Sequence, residues 1–124
     1  AAACPDGVNI FFDNVGGETL DAALVNMSVG GRIVVSGQVA EYNRQITVGI
    51  REVTRFITHR LRMEGLVVYD YAPKFSDAID QMAALINAGK LTYTEDIIEG
   101  IENAPDAYAG LFGGENLGRR LIKT

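Results

Sequence analysis

The sequence is poor in the residues that metal and thiol chemistry use. Its 124 residues hold one cysteine, Cys4, and one histidine, His59. An intrachain disulfide is impossible, and a zinc site of the usual nitrogen–sulfur kind cannot be assembled from so few ligands. No metal site is expected, and a reducing, cytoplasmic setting is the default. Basic residues are also few: 11 Lys and Arg stand against 16 Asp and Glu, for a net charge of −5. A nucleic-acid footprint needs clustered cations, so that class of partner is excluded. No apolar run approaches the length of a membrane span, and no basic-then-apolar leader opens the chain. A spaced G-x-G-x-x-G phosphate turn is absent, and Gly16-Gly17 is too short to replace it. With His59 alone on an arginine-flanked helix, a Ser/His/Asp set is absent too; packing or surface exposure is the expected role.

What remains is the material of one soluble α/β domain, with 48% hydrophobic and 22% charged residues. Val8, Ile10, Phe11 and Phe12 form an apolar run that predicts a strand buried on both faces, as in a parallel sheet. The pair Asp13-Asn14 sits at its carboxyl end, where ligands bind in open α/β sheets. Helical spacing of Leu20, Ala23, Leu24 and Met27 follows, with Gly30 as the expected stop. A second strand is expected over Arg32–Ser36, closed by Gly37. The polar stretch 38–49 follows as a candidate ligand loop. Ile50, Val53, Ile57 and Leu61 predict an amphipathic helix, and Met63–Tyr69 a third buried strand. Pro73 suits the start of a helix bearing Phe75, Ile79, Met82 and Ile86, with Gly89 ending it. The tail predicts an extended segment over Leu91–Glu99, a helix from Asn103-Ala104-Pro105 to Gly113-Gly114, and a closing strand at Leu121-Ile122.

Three βα units followed by an extended–helix–strand tail look like the second half of a doubly wound parallel sheet. A strand this apolar needs neighbours on both sides, so the chain is expected to be a piece of a longer protein. On the residues alone, Asp13 and Asn14 divide evenly between turn capping and ligand contact. The loop from Ser36 to Asn43, Tyr69 and Asn116 fall on the same predicted sheet edge or in the returning tail.

The ordered stretches FFDNVGGE (11–18), GGRIVVSGQVAEYN (30–43), RLRMEGLVVYD (60–70), AGKLTYTEDIIEGIENAP (88–105) and GENLGRRLIKT (114–124) carry a resemblance along the whole chain. They resemble the C-terminal part of zinc-independent medium-chain dehydrogenases/reductases. Within these the match is to the NADP-dependent alkenal double-bond reductases, which include prostaglandin and curcumin reductases. The resemblance implies an α/β fold in which residues 1–90 are the C-terminal half of an NADP-binding Rossmann domain. Residues 91–124 would return to a GroES-like catalytic domain. It implies NADP(H) as cofactor and hydride transfer to activated C=C bonds of small enones, enals or quinones. Asn14 would contact the cofactor, as would the loop Ser36, Gly37, Gln38, Val39, Ala40, Glu41 and Tyr42. Backbone at Leu66, Val67 and Val68 would flank the nicotinamide, Asn116 would reach the cofactor from the tail, and Tyr69 would line the substrate pocket. No catalytic residue is assigned beyond that tyrosine. The Leu66–Tyr69 strand would be the edge of a homodimer, and the glycine-rich phosphate turn would lie upstream. The isolated 124 residues are then expected to be inactive. A stand-alone nucleotide-binding or oligomerisation module with a half-Rossmann fold is the alternative.

Overall fold

The computed structural model describes residues 3–124; Ala1 and Ala2, the first residues of the expected 1–90 nucleotide-binding segment, lie outside them. Residues up to Ala72 and from Pro73 onward form two compact units. The first holds a three-stranded parallel sheet of order β1-β2-β3. Its strands are β1 (Val8–Asp13), β2 (Met27–Val35) and β3 (Arg62–Gly65), joined through the helices α1 (Gly17–Leu24) and α2 (Thr54–Thr58). Consecutive strands lie side by side, as in one half of a doubly wound sheet.

One face of this sheet is covered. Leu20, Leu24, Met27, Ile33 and Leu61 are buried together, with Val8, Phe11, Val35, Phe56 and Met63 packed against them. The strand pleat sends alternate side chains the other way. Ile10 is consequently 67% and Phe12 54% exposed. The expectation that β1 is buried on both faces is thus corrected: among the described residues of this unit, only its α1-facing side is covered.

Three boundaries also differ from the sequence reading. Helix α1 stops at Leu24, and Met27 opens β2 in register with Val8. A buried methionine three residues after a buried leucine suits a helix face equally well, so periodicity could not separate the two. The Asn26 side chain ends the helix by donating to Ala22 O at 2.8 Å, and the Asn26 main-chain carbonyl accepts from Val8 N–H at 2.9 Å. Gly30 sits inside β2 at φ 78°, beside a register shift, and is no helix stop.

The expected helix from Ile50 shrinks to Thr54–Thr58. Its window is crowded with β-branched residues, which are weak helix formers. Leu61 leaves the helix to enter the core. The strand expected over Met63–Tyr69 ends at Gly65, where β2 has also ended at Val35. Leu66 N–H makes one more bond, to Val35 O at 2.8 Å. The chain then coils into a 3-10 helix over Val68–Lys74. Leu66–Tyr69 is therefore not an edge strand, and β3 itself is the strand at that side of the sheet.

The second unit follows its expected pattern more closely. Pro73 lies in the last turn of the 3-10 helix, two residues before α3 (Phe75–Asn87), and Gly89 after α3 adopts φ 67°. Strands β4 (Glu95–Glu99) and β5 (Arg119–Lys123) pair in parallel and are connected through α4 (Ala104–Gly113). Gly114 ends α4 in the left-handed conformation. Burial here is slight: only Ala107 and Gly110 are buried. Arg120 takes the place of a core. Its guanidinium meets Asp96 Oδ2 on β4 at 2.8 Å and donates to the Ala107 carbonyl of α4 at 3.1 Å.

Candidate functional site at the carboxyl edge of the sheet

The site is built on Asp13, whose side chain is 1% exposed at the end of β1. Its Oδ1 accepts the amides of Val15 and Gly16, each at 2.9 Å. This Asx turn redirects the chain from strand to helix. Gly16 takes φ 71° and ψ −157°, a region essentially closed to side-chain-bearing residues. The turn leaves Asn14 exposed at the sheet edge.

The loop after β2 is stitched to this turn by its backbone. Ser36 N–H and Gly37 N–H both donate to Asp13 O, at 2.8 and 3.2 Å. Val39 N–H donates to Asn14 O at 3.1 Å, and Ala40 N–H to Val15 O at 3.0 Å. A Cβ on Gly37 would stand 3.1 Å from Asn14 O and 3.6 Å from the Tyr42 hydroxyl. Glycine there lets the two backbones approach closely, with Tyr42 alongside. Ser36, Gln38, Val39, Ala40 and Tyr42 are exposed around this contact.

Leu66 joins the same edge through its bond to Val35 O, and Val67, Val68 and Tyr69 continue from it, all exposed. The fold thus brings the ends of all three strands, with Asn14, the 36–42 loop and the 66–69 segment, to one carboxyl edge. Asn116 belongs to the second unit, where its side-chain amide donates to Gly118 O at 2.8 Å and shapes the turn before β5. His59 lies at the end of α2, with Thr58 Oγ1 2.9 Å from its Nδ1. A cavity of about 390 Å³ between Cys4, Asn26 and His59 opens at the amino ends of β1 and β2, away from this edge.

Sequence reasoning missed two groups. Asp13 entered as an even choice, and its burial was unforeseen. Glu41 was grouped with the exposed loop, yet its side chain turns inward and is 9% exposed. Neither hydropathy nor motif spacing signals such an inward carboxylate. Chemically, the edge offers small side chains, exposed backbone, one free-standing amide and two tyrosines. That suits the binding of a flat, polar-rimmed ring better than proton transfer. Among the described residues no cluster of three or more His, Cys, Asp or Glu could hold a metal ion.

Comparison with known proteins gives a consistent picture. Residues 1–122 match the family model described as zinc-binding dehydrogenase. A 2-alkenal reductase (NADP(+)-dependent) of Nicotiana tabacum is 45% identical over 118 residues, covering 95% of this chain and 34% of the relative. The NADPH-dependent curcumin reductase of Escherichia coli is 33% identical over 130 residues, covering all of this chain and 38% of the relative. Among solved structures, CurA from Vibrio vulnificus in complex with NADPH superposes with a TM-score of 0.84 at 32% identity. That match covers 100% of this chain and 39% of CurA. The chain therefore spans a little over a third of the length of these relatives.

Proposed function

We propose, from the premise that this chain belongs to the zinc-binding dehydrogenase family, that it forms the second half of the cofactor-binding part of an NADPH-dependent reductase. The reductase acts on activated C=C bonds of small enones, enals or quinones. The observation that carries this reading is the close approach of Gly37 to Asn14 at the carboxyl edge of the sheet. A side chain on Gly37 would fill the space that the two backbones share, so the edge stays low enough for a planar group. The residues present therefore fit a nicotinamide nucleotide.

When bound, NADPH supplies the hydride. The chain's own part is to bind and orient. In this reading the Asn14 amide hydrogen-bonds the cofactor, and Ser36 to Tyr42 cover one side of it. Leu66, Val67 and Val68 offer backbone groups to the nicotinamide edge, while Tyr69 lines the substrate side. A cofactor contact by Asn116 belongs to the same proposal, made from the turn before β5 that it holds. Residues 1–90 are assigned to the nucleotide-binding part and 91–124 to a segment returning to the catalytic domain. The setting proposed is cytoplasmic; no helix among the described residues is long and apolar enough to cross a membrane.

In the intact polypeptide that carries this chain, Asn14→Ala is expected to weaken NADPH binding about tenfold, the worth of one good hydrogen bond. Titration of cofactor fluorescence would read it. The 124 residues by themselves are expected to leave NADPH unoxidised in the presence of an enone. Unchanged affinity in the variant would remove Asn14 from the cofactor site. An intact reading frame with no glycine-rich turn upstream would favour the stand-alone module instead.

Self-association is proposed as well, now through the edges of β1 and β3. Both strands present unpaired backbone groups at the sides of the three-stranded sheet, and such edges invite pairing with a second copy. Light scattering of the 124-residue chain at high micromolar concentration should give a mass above 13.4 kDa. A sharp monomer would refute it.

A further inference from the structure

Glu41 stands out in the first unit as an acid drawn inward from an otherwise exposed loop. It ends the short 3-10 turn Val39–Glu41, and its side chain is 9% exposed. Its Oε2 accepts the amide of Val48 at 3.2 Å, seven residues further on. Its Oε1 is buried, accepts no hydrogen bond, and faces Arg44 Nη1 at 3.5 Å. The same oxygen lies 3.4 Å from the position of a Cβ on Gly17, the first residue of α1. A helix amino end favours a carboxylate there. Glu41 also lines a small cavity of about 70 Å³ with Gly17, Leu20, Gln38, Val48 and Ile50.

The stretch between Tyr42 and Ile50 has no helix or strand, and every residue in it is exposed. What ties it down is acidic at both ends. Glu41 holds Val48, and beyond it Asp21 of α1 accepts the Arg51 amide at 3.0 Å. The Arg51 guanidinium also approaches Asp21 Oδ2 and Glu18 Oε1, each at 3.5 Å. At the head of the stretch, the Tyr42 hydroxyl lies beside Gly37, at the proposed cofactor edge.

We propose that Glu41 is a positioning residue: its inward carboxylate straps residues 42–50 against the amino end of α1 and so keeps Tyr42 at the sheet's carboxyl edge. The strap itself follows from the geometry of this unit. Its consequence for the cofactor rests on the reading given under Proposed function. Because the tether is a carboxylate oxygen on a backbone amide, glutamine can keep the bond and lose the charge, whereas alanine loses both.

The test uses the intact polypeptide, with Glu41→Ala and Glu41→Gln beside the wild type. Hydrogen exchange is read by mass spectrometry over residues 42–50 and over β2 as a control. The alanine variant should exchange about tenfold faster over 42–50 and the glutamine variant about threefold faster, with β2 unchanged. NADPH affinity should fall about fivefold with alanine and return to within about twofold of wild type with glutamine, as expected of one tether at a binding edge. Exchange over 42–50 equal to wild type in a folded alanine variant overturns the strap. Faster exchange with unchanged NADPH affinity overturns the positioning role. Should alanine also loosen β2, Val48→Pro decides: it removes the N–H that Glu41 accepts and leaves the carboxylate in place, and wild-type exchange over the rest of 42–50 there sinks the proposal. A wild type that binds no NADPH would fail the cofactor reading, leaving the exchange comparison to judge the strap.

Discussion

Asp13→Ala is expected to destabilise the first unit by about 3 kcal/mol, while Asp13→Asn costs no more than about half of that. The difference lies in what each variant leaves behind. Alanine strands the amides of Val15 and Gly16, both of which donate to Asp13 Oδ1 at 2.9 Å. Gly16 is buried, so water cannot readily take over. Asparagine keeps an oxygen at that position and still serves both donors. Its cost comes from the other atom: Asp13 Oδ2 is buried without a partner, and an NH2 there would be equally unmatched. Urea unfolding followed by circular dichroism, with exchange rates of the Val15 and Gly16 amides, would measure both. An alanine variant within about 0.5 kcal/mol of wild type would show that the turn holds without its acceptor. The same variant should loosen the candidate site indirectly, because the turn it frees carries the Asp13 main-chain carbonyl that Ser36 and Gly37 N–H donate to.

Gly118→Ala should be comparably severe in the second unit. Gly118 has φ 85°, where an L side chain is strained by about 1–2 kcal/mol. A Cβ there would also run into the Thr94 carbonyl oxygen, which is backbone and cannot rotate aside. That same oxygen accepts Arg119 N–H at 2.8 Å, the bond that begins the β4–β5 pairing. Relieving the clash therefore breaks the ladder at its first rung, and about 3 kcal/mol in total is expected. Exchange of the β5 amides, Arg119 to Lys123, should rise together. Gly113→Ala is the matched control: its Cβ would come no closer than 3.6 Å to Glu115, and it should be neutral or slightly stabilising. Protected β5 amides in the Gly118 variant would mean that the turn can rearrange around the added methyl.

These two positions also mark how far the sequence could be read. The apolar run at Val8–Phe12, the helix after Pro73, the helix at Ala104-Pro105 and the closing strand were legible because local pattern and tertiary role agree there. Met27 was misread because a buried methionine fits a helix face and the start of a strand alike. The Ile50–Leu61 window was overextended for a different reason: apolar spacing survives in a stretch whose β-branched residues leave only Thr54–Thr58 helical. Leu66–Tyr69 looked like strand because valines favour strands, but a strand needs a partner, and β2 had already ended. For the site, the gathering of Asn14, the 36–42 loop and Tyr69 was legible from strand order, while Leu66, Val67 and Val68 entered through the family resemblance. The inward turn of Glu41 and the burial of Asp13 were not. Both depend on which backbone amides the fold leaves without partners, a quantity that hydropathy does not encode.

The near absence of a core in the second unit has a thermodynamic consequence. Beside the β4–β5 ladder, its elements are held by Arg120 reaching Asp96 and Ala107 more than by buried hydrocarbon. Unfolding such a unit exposes little new apolar surface, so its heat-capacity increment is small. Its stability then changes gently with temperature, giving a broad, shallow curve with no pronounced loss on cooling. Ionic strength is the sharper variable, since the Asp96 carboxylate that holds the guanidinium is 30% exposed and open to screening.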